Sequence, residues 1–384
     1  MKTKVPSAAF MSESLSKIPG GFRYHSAQEA RARRLVENAA MNLFEGWSYE
    51  EIVTPTVDYY ALFEQGLGER EAQRSFRLAD CDGRLLAFRP DVTSSIARAA
   101  ATLFANRDRP LRLCYSGTVF HQYGQSSADW RREVTQIGCE LLGKNSAAAD
   151  MEILAIVTEL LQRLQLDRRF VVTLSDAEIF SGIVEDLHLD TNGRGELRRL
   201  VDIRAVSELQ NFLSAYGPAH EGAAFANLIQ LSGKEEIFTK ARRVITNRRS
   251  RAALDRLESL WLIIESLGWS ANFDIDLGNV ARLDYYTGLT FKIYVEGLGA
   301  PLGGGGRYDN LTGKFGKGEP AVGFVVELDA LAELLAAKAN SNHSTEQQNV
   351  LISAGGDDIC ALFREATELR TSNRVVRIDG ETTA

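Results

Sequence analysis

Residues 131–142 read RREVTQIGCELL, and their alternation constrains the fold more than any other stretch of the chain. Read as a strand, Arg132, Val134, Gln136, Gly138 and Glu140 share one face, and Ile137, Cys139 and Leu141 share the other. The second face is core. The first carries an amide and a carboxylate four residues apart with a glycine between them. Two readings stay open for it: a ligand lying across the sheet, or the solvated outer face of an antiparallel sheet.

The flanking sequence extends the pattern. LRLCYSGTVF just before it reads as a partner strand across a polar loop. Thr290–Val295 alternates, with Phe291, Ile293 and Val295 against Thr290, Lys292 and Tyr294. Ala321–Val326 reads as another strand, followed by a helix over Leu328–Lys338. Shorter strand-like pieces lie around Glu51–Val53 and Ser75–Leu78. Ser26 is placed to cap a helix running to about Glu45, and Ser146 another helix, with Met151, Leu154, Val157, Leu161 and Leu164 at helical spacing. LLAFRPDVTSSIARAAATLF gives a strand, a proline break and a helix capped by Asp91 or Thr93.

Strands in separated runs with hairpin-like spacing predict an α+β fold, an antiparallel sheet flanked by helices. The chain of 384 residues has room for two or three domains. A core is expected over 1–165 plus 271–338, interrupted by a mostly helical insertion over 166–270 that opens with the strand FVVTL. NSNHSTEQQ marks a linker over 339–348. A short β-α-β segment over 349–384 is too small to be stable alone.

The chain is 45% hydrophobic and 25% charged, with a net charge of -7, so nothing global draws it to nucleic acid or acidic membranes. Cys81, Cys114, Cys139 and Cys360 show no CxxC spacing, which favours reduced thiols over a zinc site or a disulfide framework. The stretch MKTKVPSAAFMSESL lacks the apolar run of a signal peptide, and no run of 18 apolar residues occurs. A cytoplasmic protein with no membrane contact and no metal is expected.

GGGGRYDN at 303–310 invites a phosphate-loop reading, but GxxxxGK followed by Ser or Thr is absent and the spacing fails GxGxxG. Glycines permit close approach of a ligand or of another strand; a structural turn is the reading preferred here. HExxH and GxSxG are absent too. RPDVT sets a carboxylate and a hydroxyl at a helix start, and RLDYYTG sets two tyrosines beside an acid. Amides, carboxylates and tyrosines suit a small, polar, partly cationic ligand such as an amino acid. No nucleophile, general base or cofactor set stands out. KARRVITNRRSRAALDR (240–256) holds seven basic residues and reads as a solvated helical face, with RNA binding as its alternative.

Four fragments, in order over roughly residues 20–335, resemble the class II histidyl-tRNA synthetase superfamily. They are EIVTPTVDYYALFEQGLGE, LAFRPDVTSSIAR, VFHQYG with RREVTQIGCELLG, and RLDYYTGLTF with GGGGRYDNL and AVGFVVELDAL. The resemblance implies a class II synthetase-like sheet. It maps an amino-acid pocket onto Asp91, Thr93, Gln136, Glu140, Tyr285 and Tyr286, with the glycine stretch as its wall.

The departures fall on the ATP side. Where the family has Phe-Arg-x-Glu, this chain has Phe120-His121-Gln122-Tyr123. Ala281 replaces the arginine of the family's Arg-Gly-Leu-Asp-Tyr-Tyr. Ala330 replaces the arginine that ends its last motif. Each lost phosphate-stabilising group typically costs about 100-fold in rate, so no catalytic residues are expected. The tail is also shorter than the family's anticodon-binding domain.

This pattern is similar to the regulatory subunits of ATP phosphoribosyltransferase, and active histidyl-tRNA synthetases or an RNA-binding pseudo-synthetase are the alternatives. The resemblance implies activation of a short-form catalytic subunit, self-association as a dimer, a hetero-octamer with four copies of each chain, and histidine as the feedback effector at the first step of histidine biosynthesis.

Overall fold

The computed structural model describes residues 17–122, 131–167, 169–187, 189–215, 225–279, 285–341, 350–353, 359–372 and 374–379. The chain divides into two compact units, Met1–Leu334 and Leu335–Ala384.

The first unit is built on a nine-stranded sheet. Its strands are β1 (Glu50–Glu51), β5 (Leu111–Phe120), β6 (Glu133–Leu142), β7 (Phe170–Asp176), β8 (Ser232–Gly233), β9 (Phe273–Asp276), β10 (Leu289–Val295), β11 (Gly303–Arg307) and β12 (Ala321–Glu327). They run in the order β1-β5-β6-β12-β11-β10-β7-β9-β8. From β5 to β7 every neighbouring pair is antiparallel; β1 on β5 and β9 on β7 are parallel. β2 (Val57–Tyr59), β3 (Arg77–Ala79) and β4 (Leu85–Phe88) form a separate small sheet.

Helix α1 (Ala27–Gly46) starts where the sequence places it. Ser26 accepts the Glu29 N–H, and the Glu29 carboxylate accepts the Ser26 N–H at 2.6 Å, a reciprocal capping box. α1 buries Val36, Ala40, Leu43 and Phe44. Phe44 meets Phe324 edge-on, with ring centroids 6.0 Å apart. Phe324 is the cross-strand partner of Cys139, so α1 covers the face carrying Ile137, Cys139 and Leu141, all fully buried. Truncating a side chain as enclosed as Phe44 to alanine costs about 3–5 kcal/mol.

Helices α2 (Tyr60–Leu67) and α3 (Thr93–Ala101) belong to the same unit, with α3 on the opposite face of the sheet, as the Thr93–Glu140 bond described below requires. α4 (Ala147–Arg163) begins at Ser146, whose hydroxyl accepts the Ala149 N–H. Residues 166–270 hold α5 (Ala177–Asp186), α6 (Thr191–Asp202), α7 (Val206–Ser214), α8 (Glu236–Arg242) and α9 (Arg248–Ser266). β7 and β8 come from this stretch too and join the central sheet.

One expectation is corrected. The four glycines do not form a turn. Gly303–Arg307 is β11, an interior strand paired with β10 and β12 over its length. Glycine is a poor strand former, but packing overrides that preference. A Cβ on Gly305 would press on Phe291 Cζ at 2.7 Å, and one on Gly306 on Tyr286 Cε1 at 2.8 Å. These positions need the absence of a side chain, not a turn.

Helix α10 (Leu328–Ser341) runs past Lys338, into the first residues of the expected linker. In the second unit, β13 (Val350–Ser353), α11 (Ile359–Thr371) and β14 (Val376–Asp379) follow in order, with β13 and β14 parallel, the β-α-β pattern read from the sequence. Among the described residues no helix is long and apolar enough to cross a membrane.

Candidate functional site

The face of the sheet opposite α1 is a trough floored by glycine. Register places Gly117 beside Gln136, Tyr115 beside Gly138, and Gly323 beside both Glu140 and Gly306. Side chains lie flat over these glycines. A Cβ at Gly117 would sit 2.8 Å from Arg89 Nη2, and one at Gly138 2.8 Å from the Tyr115 hydroxyl oxygen. One at Gly323 would collide with the Glu140 carboxyl group, and one at Gly306 with the Tyr286 ring. The trough exists because four side chains share space that four Cβ atoms would fill.

Glu140 is its centre. It is 1% exposed. Thr93 Oγ1 donates to one carboxyl oxygen at 2.7 Å, and the Tyr308 hydroxyl donates to the other. Burial pushes its pKa up to about 8; the Tyr308 and Thr93 donors pull down and the neighbouring Asp91 adds a further push up. Asp91, just before α3, accepts the Ser94 N–H at 2.8 Å, and burial raises its pKa to about 6 against that hydrogen bond. Asp91 therefore acts as the helix cap, while Thr93 lies inside α3 and turns its hydroxyl to Glu140.

Four tyrosines, Tyr115, Tyr285, Tyr286 and Tyr308, line the trough. The Tyr285 ring lies 4.9 Å from Tyr286 and 5.7 Å from Tyr308, centroid to centroid. Burial raises the phenols of Tyr115, Tyr285, Tyr286 and Tyr308, so each stays a neutral O–H donor. Gln136 is partly buried on the same face as Glu140, with no side-chain partner among the described residues. The structure thus brings Asp91, Thr93, Glu140, Tyr285 and Tyr286 together and sets Gln136 at the end of the same strand face. Sequence reasoning missed Tyr308, Tyr115 and Arg89. Tyr308 and Arg89 sat inside the GGGGRYDN and RPDVT fragments, but nothing local showed which way they turn. Arg307 turns to the other face and pairs with Asp150 at 2.6 Å, so it is a tie to α4.

Of the four positions read as degenerate, His121 follows β5 and gives its backbone N–H to Arg132 O at 2.9 Å, and Ala330 is buried in α10. Tyr123 and Ala281 lie outside the described residues. Near α10 the arginines are committed to carboxylates: Arg33 pairs with Asp329, and Arg23 and Arg131 with Glu333. Three of the seven basic residues of the stretch 240–256 are also paired with carboxylates. Arg242 pairs with Asp255 and Glu258, Arg249 with Glu178 and Glu185, and Arg256 with Asp176. Among the described residues no cluster of three potential metal ligands occurs.

Comparison with known proteins decides the family. The histidyl-tRNA synthetase family model matches residues 21–331. A regulatory subunit of ATP phosphoribosyltransferase from Moorella thermoacetica is 34% identical over 366 residues, 95% of this chain and 92% of the relative. Its counterpart from Clostridium kluyveri is 30% identical over 94% of this chain and 92% of the relative. The chain belongs to the ATP phosphoribosyltransferase regulatory subunit family. The chain is thus a regulatory subunit of ATP phosphoribosyltransferase, and it is this subunit that has the synthetase-like fold. A solved ATP phosphoribosyltransferase regulatory subunit/histidyl-tRNA synthetase from Bacillus halodurans C superposes with a TM-score of 0.81 at 28% identity, covering 96% of this chain and 94% of that one. A histidyl-tRNA synthetase from Nostoc shares the fold, with a TM-score of 0.74 at 18% identity over 96% of this chain and 86% of that one.

Proposed function

We propose that this regulatory subunit uses the glycine-floored trough as a histidine sensor for a short-form ATP phosphoribosyltransferase catalytic chain. The observation that carries the reading is the buried Glu140 carboxyl group, aimed by Thr93 and Tyr308 into a cluster of tyrosines. A buried carboxyl suits an imidazole N–H, and Asp91 and Thr93 stand where an ammonium group would bind. Gln136, Tyr285 and Tyr286 complete the pocket. The ATP side has no counterpart: the arginines expected there are replaced at His121, Ala281 and Ala330, with Tyr123 in place of the adenine-contacting glutamate. The chain therefore performs no chemistry; it activates its partner at the first step of histidine biosynthesis and transmits feedback inhibition.

The assembly expected from the family resemblance is a dimer of this chain within a hetero-octamer of four plus four. Feedback requires a coupling free energy: histidine must bind the inhibited assembly more tightly than the active one. A reducing cytoplasmic setting fits Cys114 and Cys139, which are direct cross-strand neighbours and remain free thiols.

Titration calorimetry of the full chain tests the pocket. Histidine binding is expected in the wild type, with affinity reduced at least about tenfold in Glu140→Ala, the cost of losing a charge-assisted or buried hydrogen bond. Unchanged affinity in that variant moves the histidine site elsewhere.

A further inference from the structure

Arg89 is a buried cation without a counter-ion. It follows β4 and is 7% exposed. Its Nε donates to Thr118 O at 2.7 Å, and its Nη1 donates to Thr54 O at 2.8 Å and Thr54 Oγ1 at 3.0 Å. All three acceptors are neutral. Among the described residues no carboxylate pairs with it, and the two N–H groups of Nη2 have no acceptor. Guanidinium stays charged even when burial lowers its pKa, so an uncompensated site of this kind is costly unless something anionic arrives.

The direction of Nη2 shows where that anion would come from. It lies 2.8 Å from the position of a Cβ on Gly117, above the face that Gly117 shares with Gln136. This is the face that carries Glu140. Gln136, with its unengaged amide, is the direct cross-strand neighbour of Gly117. Positions 136 and 140 are separated by roughly 13 Å of strand at 3.3 Å per residue. Side chains rising from these two positions on one face can therefore meet the two ends of one small ligand.

We infer that Arg89 Nη2, with the Gln136 amide beside it, binds the carboxylate of the ligand whose ring meets Glu140. The inference rests on the amino-acid reading of the pocket. It makes Arg89 a specificity residue that rejects ligands lacking the carboxylate. Thr54 and Thr118 fix the guanidinium, so the contact is preorganised.

The test is calorimetry on the full chain with L-histidine and with L-histidinol, which keeps the imidazole and the ammonium group but lacks the carboxylate. Wild type is expected to prefer histidine by about ten- to a hundredfold, the range for hydrogen bonds to charged groups. Arg89→Gln should lose that preference while its histidinol affinity stays within about threefold of wild type. Gly117→Ala keeps the charge but pushes Nη2 aside. It should reduce the preference in the same direction, and it serves where Arg89→Gln does not fold. Glu140-dependent histidine binding with equal affinity for histidinol overturns the inference and leaves the pocket reading standing. Absence of histidine binding overturns both. Arg89-dependent binding of AMP with histidine unaffected assigns the cation to a phosphate and overturns the inference.

Discussion

At the residue scale Glu140 carries the account. Its carboxyl proton is held more tightly in the folded chain, at about 8, than at its ordinary value of 4.5. The fold then binds more protons than the unfolded chain between those values, so this group makes stability fall as pH rises through that window, by about 1.4 kcal/mol per unit at most. Asp91 adds a slope of the same sign, confined below about 6. Glu140→Gln keeps one accepting oxygen, presents an NH2 that donates to the other hydroxyl, and cannot ionise. Its melting temperature relative to wild type should therefore rise between pH 6 and pH 8.5 in the ligand-free chain. A difference that stays flat across that range contradicts the buried, protonated carboxyl. The sequence showed Glu140 and Gln136 plainly, because period-two alternation assigns faces. Tyr308, Tyr115 and Arg89 were not legible, because their roles depend on side-chain directions set by glycines on other strands.

At the element scale β11 is the instructive strand. Four glycines punctuate a sequence, so they read as a turn. In the fold they let β10, β12 and the side chains above them close on one another. Gly306→Ala would bring a methyl group 2.8 Å from Tyr286 Cε1. We expect it to destabilise the chain by about 1–3 kcal/mol through overpacking, read as a lower denaturation midpoint with an unchanged slope. Gly195, in α6, has nothing within 4 Å of its built Cβ. Gly195→Ala should be neutral or stabilising by up to about 1 kcal/mol. Equal midpoints for both variants would contradict the packing role of β11. The elements with strong periodicity or caps, among them α1, α4, β6 and β10, were legible because local chemistry and burial agree in them. β7 was legible as a strand, but its place in the central sheet was not, since pairing over more than a hundred residues leaves no local mark.

At the scale of the whole molecule, the retained and the lost halves of the synthetase-like site have different fates. The half proposed to take an amino acid holds a buried carboxyl and tyrosines, whereas the arginines near α10 are tied to Asp329 and Glu333. In the basic stretch 240–256, which alone suggested RNA, Arg242, Arg249 and Arg256 tie neighbouring elements together through ion pairs. On the proposed reading, the ligand energy of this pocket is what biases the partner. The most direct test is reconstitution with the cognate short-form catalytic chain, following phosphoribosyl-ATP formation with and without histidine. The account predicts that the wild-type chain raises the rate and that histidine suppresses it, while the Glu140→Ala chain still activates but needs at least about tenfold more histidine for inhibition. A chain that neither binds nor activates the catalytic subunit, or a Glu140→Ala complex inhibited like wild type, contradicts it.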